Sequence, residues 1–236
     1  MLSVWNAALG KSFDAWADTY NNDVVPMLTR RGYGYPQLAE IVLEHVGHQV
    51  VSHAEPILCF EVGVGTGMLG AAMRCLRCEW QLYGLDISAN MLLHAATTGA
   101  YDNLFQGTAE CLPTESGTVE VLVTAFMMHS VMRRELALAE MFRVLKPGGV
   151  LAVVDLFRTT RRWPAVSIVA DNVLSALHER GAPSRYSSVE EMCRSLQGVG
   201  FNITARRLLD ADNSIAKKKL GKRMHGLIVA TKRAME

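Results

Sequence analysis

One stretch constrains this chain more than any other: Glu61-Val62-Gly63-Val64-Gly65-Thr66-Gly67. It follows a short apolar run, PILCFEV from Pro56, and it opens a segment of helical character at about Thr66–Arg77. A glycine-rich turn between a strand and a helix lets the backbone approach a ligand closely, and the helix start adds free amide donors. The spacing is Gly-x-Gly-x-Gly. A dinucleotide-binding turn would want a further small residue at position 68, where this chain has Met68. Glu61, just ahead of the first glycine, would repel a pyrophosphate but suits a ligand that carries an ammonium and a sulfonium.

The second constraint is Asp86, at the end of the next apolar run in YGLDIS. A carboxylate there can accept hydrogen bonds from both hydroxyls of an adenosine ribose, and Ile87 and Met91 could pack on the adenine. Taken singly, Glu61 could be a solvated strand end and Asp86 a helix N-cap. Strand, glycine turn, helix and strand in this order favour a nucleoside-type site over that pair of coincidences.

The rest of the chain fits the same plan. Apolar runs at WQLYGLD, VEVLVTAF and VLAVVDLF read as strands buried on both faces. Helical segments at about Ser88–Thr98 and Arg133–Lys146 separate most of them, and Lys146-Pro147-Gly148-Gly149 reads as a helix stop with a tight turn. Alternating strand and helix imply a parallel sheet covered on both faces. Trp163–Arg180 and Ser188–Gln197 look helical, and FNITARRLL and MHGLIVATK then read as an antiparallel closing pair. At the other end, Phe13, Trp16, Ala17 and Tyr20 recur at helical spacing, with breaks expected at Pro26 and at Gly32–Pro36. A second helix is expected from about Gln37 to His53.

Length and composition bound the function. The 236 residues fit a single domain, and half of them are apolar, enough for a core without metals or disulfides. A net charge of +1 gives no field that would draw the protein to nucleic acid or an anionic membrane. Five scattered cysteines suit a reducing compartment. There is no signal-peptide pattern and no apolar run near the roughly 18–20 residues of a membrane span, so the expected location is the cytoplasm.

With these residues in view, the chain resembles the UbiE-like, or methyltransferase type 11, group of class I S-adenosylmethionine (SAM)-dependent methyltransferases. FDAWADTY, ending in Tyr20, is similar to a family segment that closes over SAM. EVGVGTG resembles the first motif and LDIS the acidic second one. Gly107-Thr-Ala-Glu-Cys-Leu-Pro113 resembles G-D-A-E-x-L-P, with Thr108 in place of the aspartate that usually meets the adenine amino group. FRVLKPGGVLAVVD resembles the motif around the fifth strand. The resemblance implies a Rossmann-like α/β fold: a mostly parallel seven-stranded sheet, helices on both faces and an antiparallel C-terminal pair. It implies SAM as cofactor and S-adenosyl-L-homocysteine as product. The cofactor-binding set is then Tyr20, Glu61, Gly63, Gly65, Gly67, Asp86, Ile87, Met91, Ala109, Glu110 and Ala125. Residues 1–54 become a helical lid, 55–236 the core, and about 157–187 the acceptor segment.

For the chemistry, His129 follows the fourth strand at the carboxyl edge of the sheet and could deprotonate an acceptor near neutral pH; equally, it could be a core or capping histidine. Asp155 ends the fifth strand on the same edge and could orient the acceptor, or serve as a turn residue. Arg158, Arg161, Arg162 and Trp163 follow and could hold an anionic acceptor, although a solvated loop is the plainer reading. Cys75 and Cys78 lack a second ligand pair, so no metal site is expected. Met127, Met128 and Met132 read as core or pliable lining. Lys217–Lys219, Lys222 and Arg223 read as a solvated basic loop.

The expected function is methyl transfer from SAM to a small-molecule acceptor at O, N or C, by a monomer or homodimer. The rivals are a SAM-binding protein without methyl transfer, such as a cyclase or accessory subunit, and an NAD(P)-binding oxidoreductase.

Overall fold

The computed structural model describes residues 2–47, 49–50, 56–158, 184–209 and 223–233. The expected helix at Trp163–Arg180, Arg161 and Arg162, and Lys217–Lys219 with Lys222 lie outside the described residues.

Two helices come first, α1 (Leu2–Arg30) and α2 (Tyr35–Gly47). The alternating unit follows: β1 (Leu58–Val62), α3 (Met68–Leu76), β2 (Gln81–Asp86), α4 (Ala89–Thr97), β3 (Asn103–Gln106), β4 (Val119–Ala125), α5 (Arg134–Val144) and β5 (Leu145–Arg158). The closing part is α6 (Val189–Val199), β6 (Phe201–Leu208) and β7 (Arg223–Lys232). The seven strands form one sheet in the order β3-β2-β1-β4-β5-β7-β6. β1 pairs in parallel with β2 and with β4, and β4 in parallel with β5. β7 runs antiparallel to both β5 and β6, which is the expected closing pair.

Strands buried on both faces explain the unbroken apolar runs. On one face Val121, Val123, Val150, Ala152 and Val154 pack with Val24 and Leu28 of α1, Leu38 and Val42 of α2, and Leu69 and Met73 of α3. On the other, Leu122, Leu151, Val153 and Phe157 pack with Leu138 and Met141 of α5 and with Met192 and Leu196 of α6. All five cysteines are free, as expected for a core that needs no disulfide. No helix among the described residues is long and apolar enough to cross a membrane.

Several expectations are corrected. Pro26 does not break the first helix; α1 runs through it to Arg30. Val24 and Leu28 anchor that last part in the core, and this burial outweighs the one backbone hydrogen bond that proline removes. The second helix begins at Tyr35 and ends at Gly47, short of His53. Lys146–Gly149 is not a separate turn but a bulge within β5. The register steps from Val119↔Leu145 to Val121↔Val150, and Gly148 (φ 79°) makes the excursion possible. β3 is the seventh strand, and only four residues carry it.

Candidate active site

Strand order reverses between β1 and β4, which sets the topological switch point where ligands enter open α/β sheets. A cleft opens there. Its floor is made by Gly63, Gly65, Asp86, Ile87 and Met91; one wall by Gly107–Glu110; the far end by Ala125, Phe126, Met127, Ser130 and Val131. Asn6, Leu9, Phe13 and Tyr20 of α1 roof it.

The three glycines of the turn have different reasons. A Cβ on Gly63 would stand 2.6 Å from Met127 Cγ, and one on Gly67 2.9 Å from Ala95 Cα, so both are required by packing. At Gly65 (φ 53°) a Cβ would meet nothing within 4 Å of the protein. Gly65 lines the cleft, so the missing side chain there leaves room for a ligand.

Asp86 lies at the centre of the floor. Its Oδ2 accepts from Gly65 N at 2.8 Å and its Oδ1 from Ser88 N at 2.9 Å. Each carboxylate oxygen keeps a further lone pair for a ligand hydroxyl. The α4 N-cap is Ser88, whose Oγ accepts from Met91 N, so Asp86 is not spent on capping. Burial pushes the Asp86 carboxyl up, while the amides of Ser88 and Gly65 pull it down.

Glu61 is not a solvated strand end. It is almost fully buried, and it accepts from the Tyr101 hydroxyl at 2.8 Å. Burial pushes it up to about 8, the Tyr101 hydrogen bond opposes this and the nearby Asp86 adds to it. Among the described residues Glu61 and Gly67 do not line the cleft; the other nine expected cofactor residues do. Glu61 thus lies outside the cleft lining, and in the ligand-free protein burial favours its neutral form.

The roof is tethered by polar contacts. Asp14 accepts from Ser88 Oγ at 2.6 Å and from Asn90 N at 3.0 Å. Thr66 Oγ1 donates to Asn21 Oδ1 at 2.7 Å, tying α1 to the glycine turn itself.

At the far end the structure joins two residues that the sequence leaves separate. His129 Nδ1 lies 2.5 Å from Asp155 Oδ1, and Leu156 N also donates to that oxygen at 2.8 Å. Both side chains are buried, at 7% and 1% exposure. The His129 ring stacks on Tyr186, and the Arg223 guanidinium lies 3.9 Å from the centre of the Tyr186 ring. His129 belongs to the turn that carries Met127 and Ser130, but it is not itself among the described residues lining the cleft. Arg158, expected to hold an acceptor, instead pairs with Glu191 and donates to Tyr186 O at 2.8 Å. It fastens the segment before α6.

Sequence reasoning gave Thr124 only a backbone role toward the methionine part of the cofactor, and gave Ser130, Arg134 and Tyr186 none. Thr124 Oγ1, Ser130 Oγ and Arg134 Nε are buried with no hydrogen-bond partner. Serine, threonine and arginine in these positions carry no distinctive spacing, so only the fold could find them.

Comparison with known proteins points one way. Residues 60–153 match the family model described as a methyltransferase domain, type 11. The chain is 32% identical over 104 residues to the ubiquinone/menaquinone biosynthesis C-methyltransferase UbiE of Syntrophotalea carbinolica, covering 42% of this chain and 44% of that one. It spans about half the length or less of the first curated relatives it matches. In fold it is similar to geranyl diphosphate C-methyltransferase of Streptomyces coelicolor, solved with S-adenosyl-L-homocysteine (TM-score 0.72, 14% identity, 97% of this chain and 98% of that one). It is also similar to the [4+2]-cyclase SpnF (TM-score 0.62, 19% identity, 85% and 82%).

Fold and site together define a class I, Rossmann-like SAM-dependent methyltransferase architecture. Within that architecture, residues 60–153 are similar to the methyltransferase domain family, and UbiE methyltransferases are among the relatives the chain resembles. The NAD(P)-binding alternative is not carried further.

Proposed function

We propose that this protein transfers the methyl group of SAM to a small-molecule acceptor, at an oxygen, nitrogen or carbon atom, by in-line displacement. The observation that carries the reading is the cleft at the switch point, with Gly65 open to it on one side and the His129–Asp155 pair next to its far end. The residues fit the cofactor. An open Cβ position, a carboxylate with spare lone pairs and a buried acid beneath match a nucleoside that carries positive charge.

In this reading Asp86 accepts from both ribose hydroxyls. Ile87 and Met91 pack on the adenine, and Ala109 and Glu110 meet its edge. The Gly63–Gly65 backbone and Ala125 face the methionine part. Phe13 and Tyr20 close the roof and exclude water. SAM, when bound, supplies a methyl group on sulfur that is already a good leaving group. What the chain must add is alignment, which supplies most of the rate, and a base where the acceptor arrives protonated. With Asp155 accepting at Nδ1, the neutral His129 ring holds its basic lone pair on Nε2. His129 takes the acceptor's proton there, and Asp155 fixes the tautomer and stabilises the resulting imidazolium. The free cysteines suit a reducing compartment, and the cytoplasm remains our expected location, with a monomer or homodimer as the working form.

The second reading, SAM binding without methyl transfer, draws on one observation: His129 is buried and not part of the cleft lining. The experiment that separates the two uses methyl-deuterated SAM with small-molecule extracts. Methyl transfer predicts labelled products and equimolar S-adenosyl-L-homocysteine. Bound SAM with neither outcome would select the second reading.

A further inference from the structure

Helix α1 meets the floor of the cleft along one row of positions a turn apart. Asp18 lies 3.0 Å from His94 Nε2, and Asp14 accepts from Ser88 Oγ at 2.6 Å. Gly10 lies directly on Ile87, where an added Cβ would stand 3.3 Å from the carbonyl oxygen. Read toward the N-terminus, the row passes from the end of α4 to its start and then crosses the end of β2. Asn6 is the next position, about 6 Å further along the same face. It lines the cleft with Ile87, Met91, Thr108 and Glu110.

Nothing in the packing of the roof calls for an amide at this place. Leu9 and Phe13, which line the cleft from the same helix, are apolar. Asparagine favours a helix less than leucine or alanine does. Asn6 is half-buried, and its carboxamide makes no hydrogen bond with another described residue. A planar group with one donor and one acceptor thus faces the cleft uncommitted. Among the described lining residues it is the only carboxamide. Its match is a flat ligand edge with the opposite pair, and the edge of adenine has that pair: an exocyclic amine that donates and a ring nitrogen beside it that accepts. Glu110 on the wall is no substitute. An ionised carboxylate only accepts, so it could take an amine hydrogen but would repel the ring lone pair.

We infer that Asn6 reads the nucleobase: Oδ1 accepts from the exocyclic amine of adenine, and Nδ2 donates to the ring nitrogen beside it. The inference rests on the SAM reading of the cleft and deepens it. It makes the roof a determinant of base specificity as well as a cover that excludes water. Gly10 gains a reason too, because a helix held close to Ile87 brings the side chain one turn on down to the base.

The test is a calorimetric titration of the full-length protein with two ligands. One is S-adenosyl-L-homocysteine; the other is its analogue with unsubstituted purine in place of adenine, which lacks the exocyclic amine. Wild type should bind the adenine compound about tenfold tighter, as expected when a hydrogen bond in a sheltered site is left unmade. Asn6→Leu, of similar shape and a better helix former, should weaken the adenine compound severalfold and the purine compound less, so that most of the preference is lost. Asn6→Ala, with circular dichroism as the control for folding, should do the same if the leucine variant does not fold. Merely structural damage to the roof would weaken both ligands equally, and that result would overturn the inference. So would an undiminished preference in a folded variant, or a wild type that binds the two alike. If wild type binds neither compound, the SAM reading fails and the inference falls with it. If wild type binds S-adenosyl-L-homocysteine and the variants keep its preference, the inference alone falls.

Discussion

His129 Nδ1 and Asp155 Oδ1 stand 2.5 Å apart, joining the turn after β4 to the carboxyl end of β5. Such a contact fixes which ring nitrogen carries the proton, and it leaves the other nitrogen basic. On an acceptor that arrives protonated, His129→Ala should therefore lower kcat by about 10²–10⁴-fold, the usual span for general acid–base catalysis. SAM affinity should barely change, because the lost group acts on the acceptor. Equal rates on the true acceptor would remove His129 from the mechanism and leave it a buried structural histidine.

Asp86→Ala should weaken SAM binding by about 1.5–3 kcal/mol, the range for a hydrogen bond to a charged group. The same change releases the amides of Gly65 and Ser88, so the melting temperature should also fall. Calorimetry on the folded variant decides the matter, and unchanged affinity would mean the ribose lies elsewhere.

Glu61 gives a pH prediction for the ligand-free protein. Its ordinary value is 4.5, and burial raises it to about 8 in the folded state. Between these limits the native protein holds a proton that the unfolded chain has released. Stability must therefore fall as pH rises through that window, by on the order of 5 kcal/mol in all and about half of that between pH 6 and pH 8.5. Glu61→Gln, which keeps the shape and cannot ionise, should flatten the decline. Denaturant unfolding at pH 6 and pH 8.5 measures it, and parallel curves for variant and wild type would refute the assignment.

Motion of the roof is the next test. Phe13 and Tyr20 line the cleft, and the polar contacts of Asp14 and Asn21 help to hold this part of α1 in place. Further on, Val24 and Leu28 are packed in the core. The first part should open more readily than the second, because it has less buried apolar surface to lose. Hydrogen exchange at Phe13–Tyr20 should slow when S-adenosyl-L-homocysteine is added, with little change at Val24–Leu28. The same rates with and without ligand would make the whole helix permanent scaffold.

Much of this was legible in the sequence, and the pattern of what was not is physical. The glycine turn, Asp86 and the buried strands could be read because each rests on local chemistry: a backbone approach, a carboxylate after a strand, an unbroken apolar run. β3 escaped because Asn103–Gln106 is short and only partly covered. Pro26 misled because a local cost was outweighed by tertiary burial of its neighbours. The pairing of His129 with Asp155, 26 residues apart, needed the alignment of β4 on β5. Arg158 looked like an acceptor-binding residue until its Glu191 partner, on a later helix, was in view. Ser130 and Arg134 stand out only because burial strips them of water.

The central claim is that SAM occupies the cleft over Gly65. Its most direct test is a calorimetric titration of S-adenosyl-L-homocysteine into wild type and Gly65→Val, with circular dichroism as a control for folding. A valine there would put its side chain into space the protein leaves open, at a backbone conformation (φ 53°) that it adopts poorly. The account predicts one binding site in wild type and a loss of at least about 2 kcal/mol, roughly thirtyfold, in the folded variant. No binding by wild type, or equal affinity in a folded Gly65→Val protein, would contradict it.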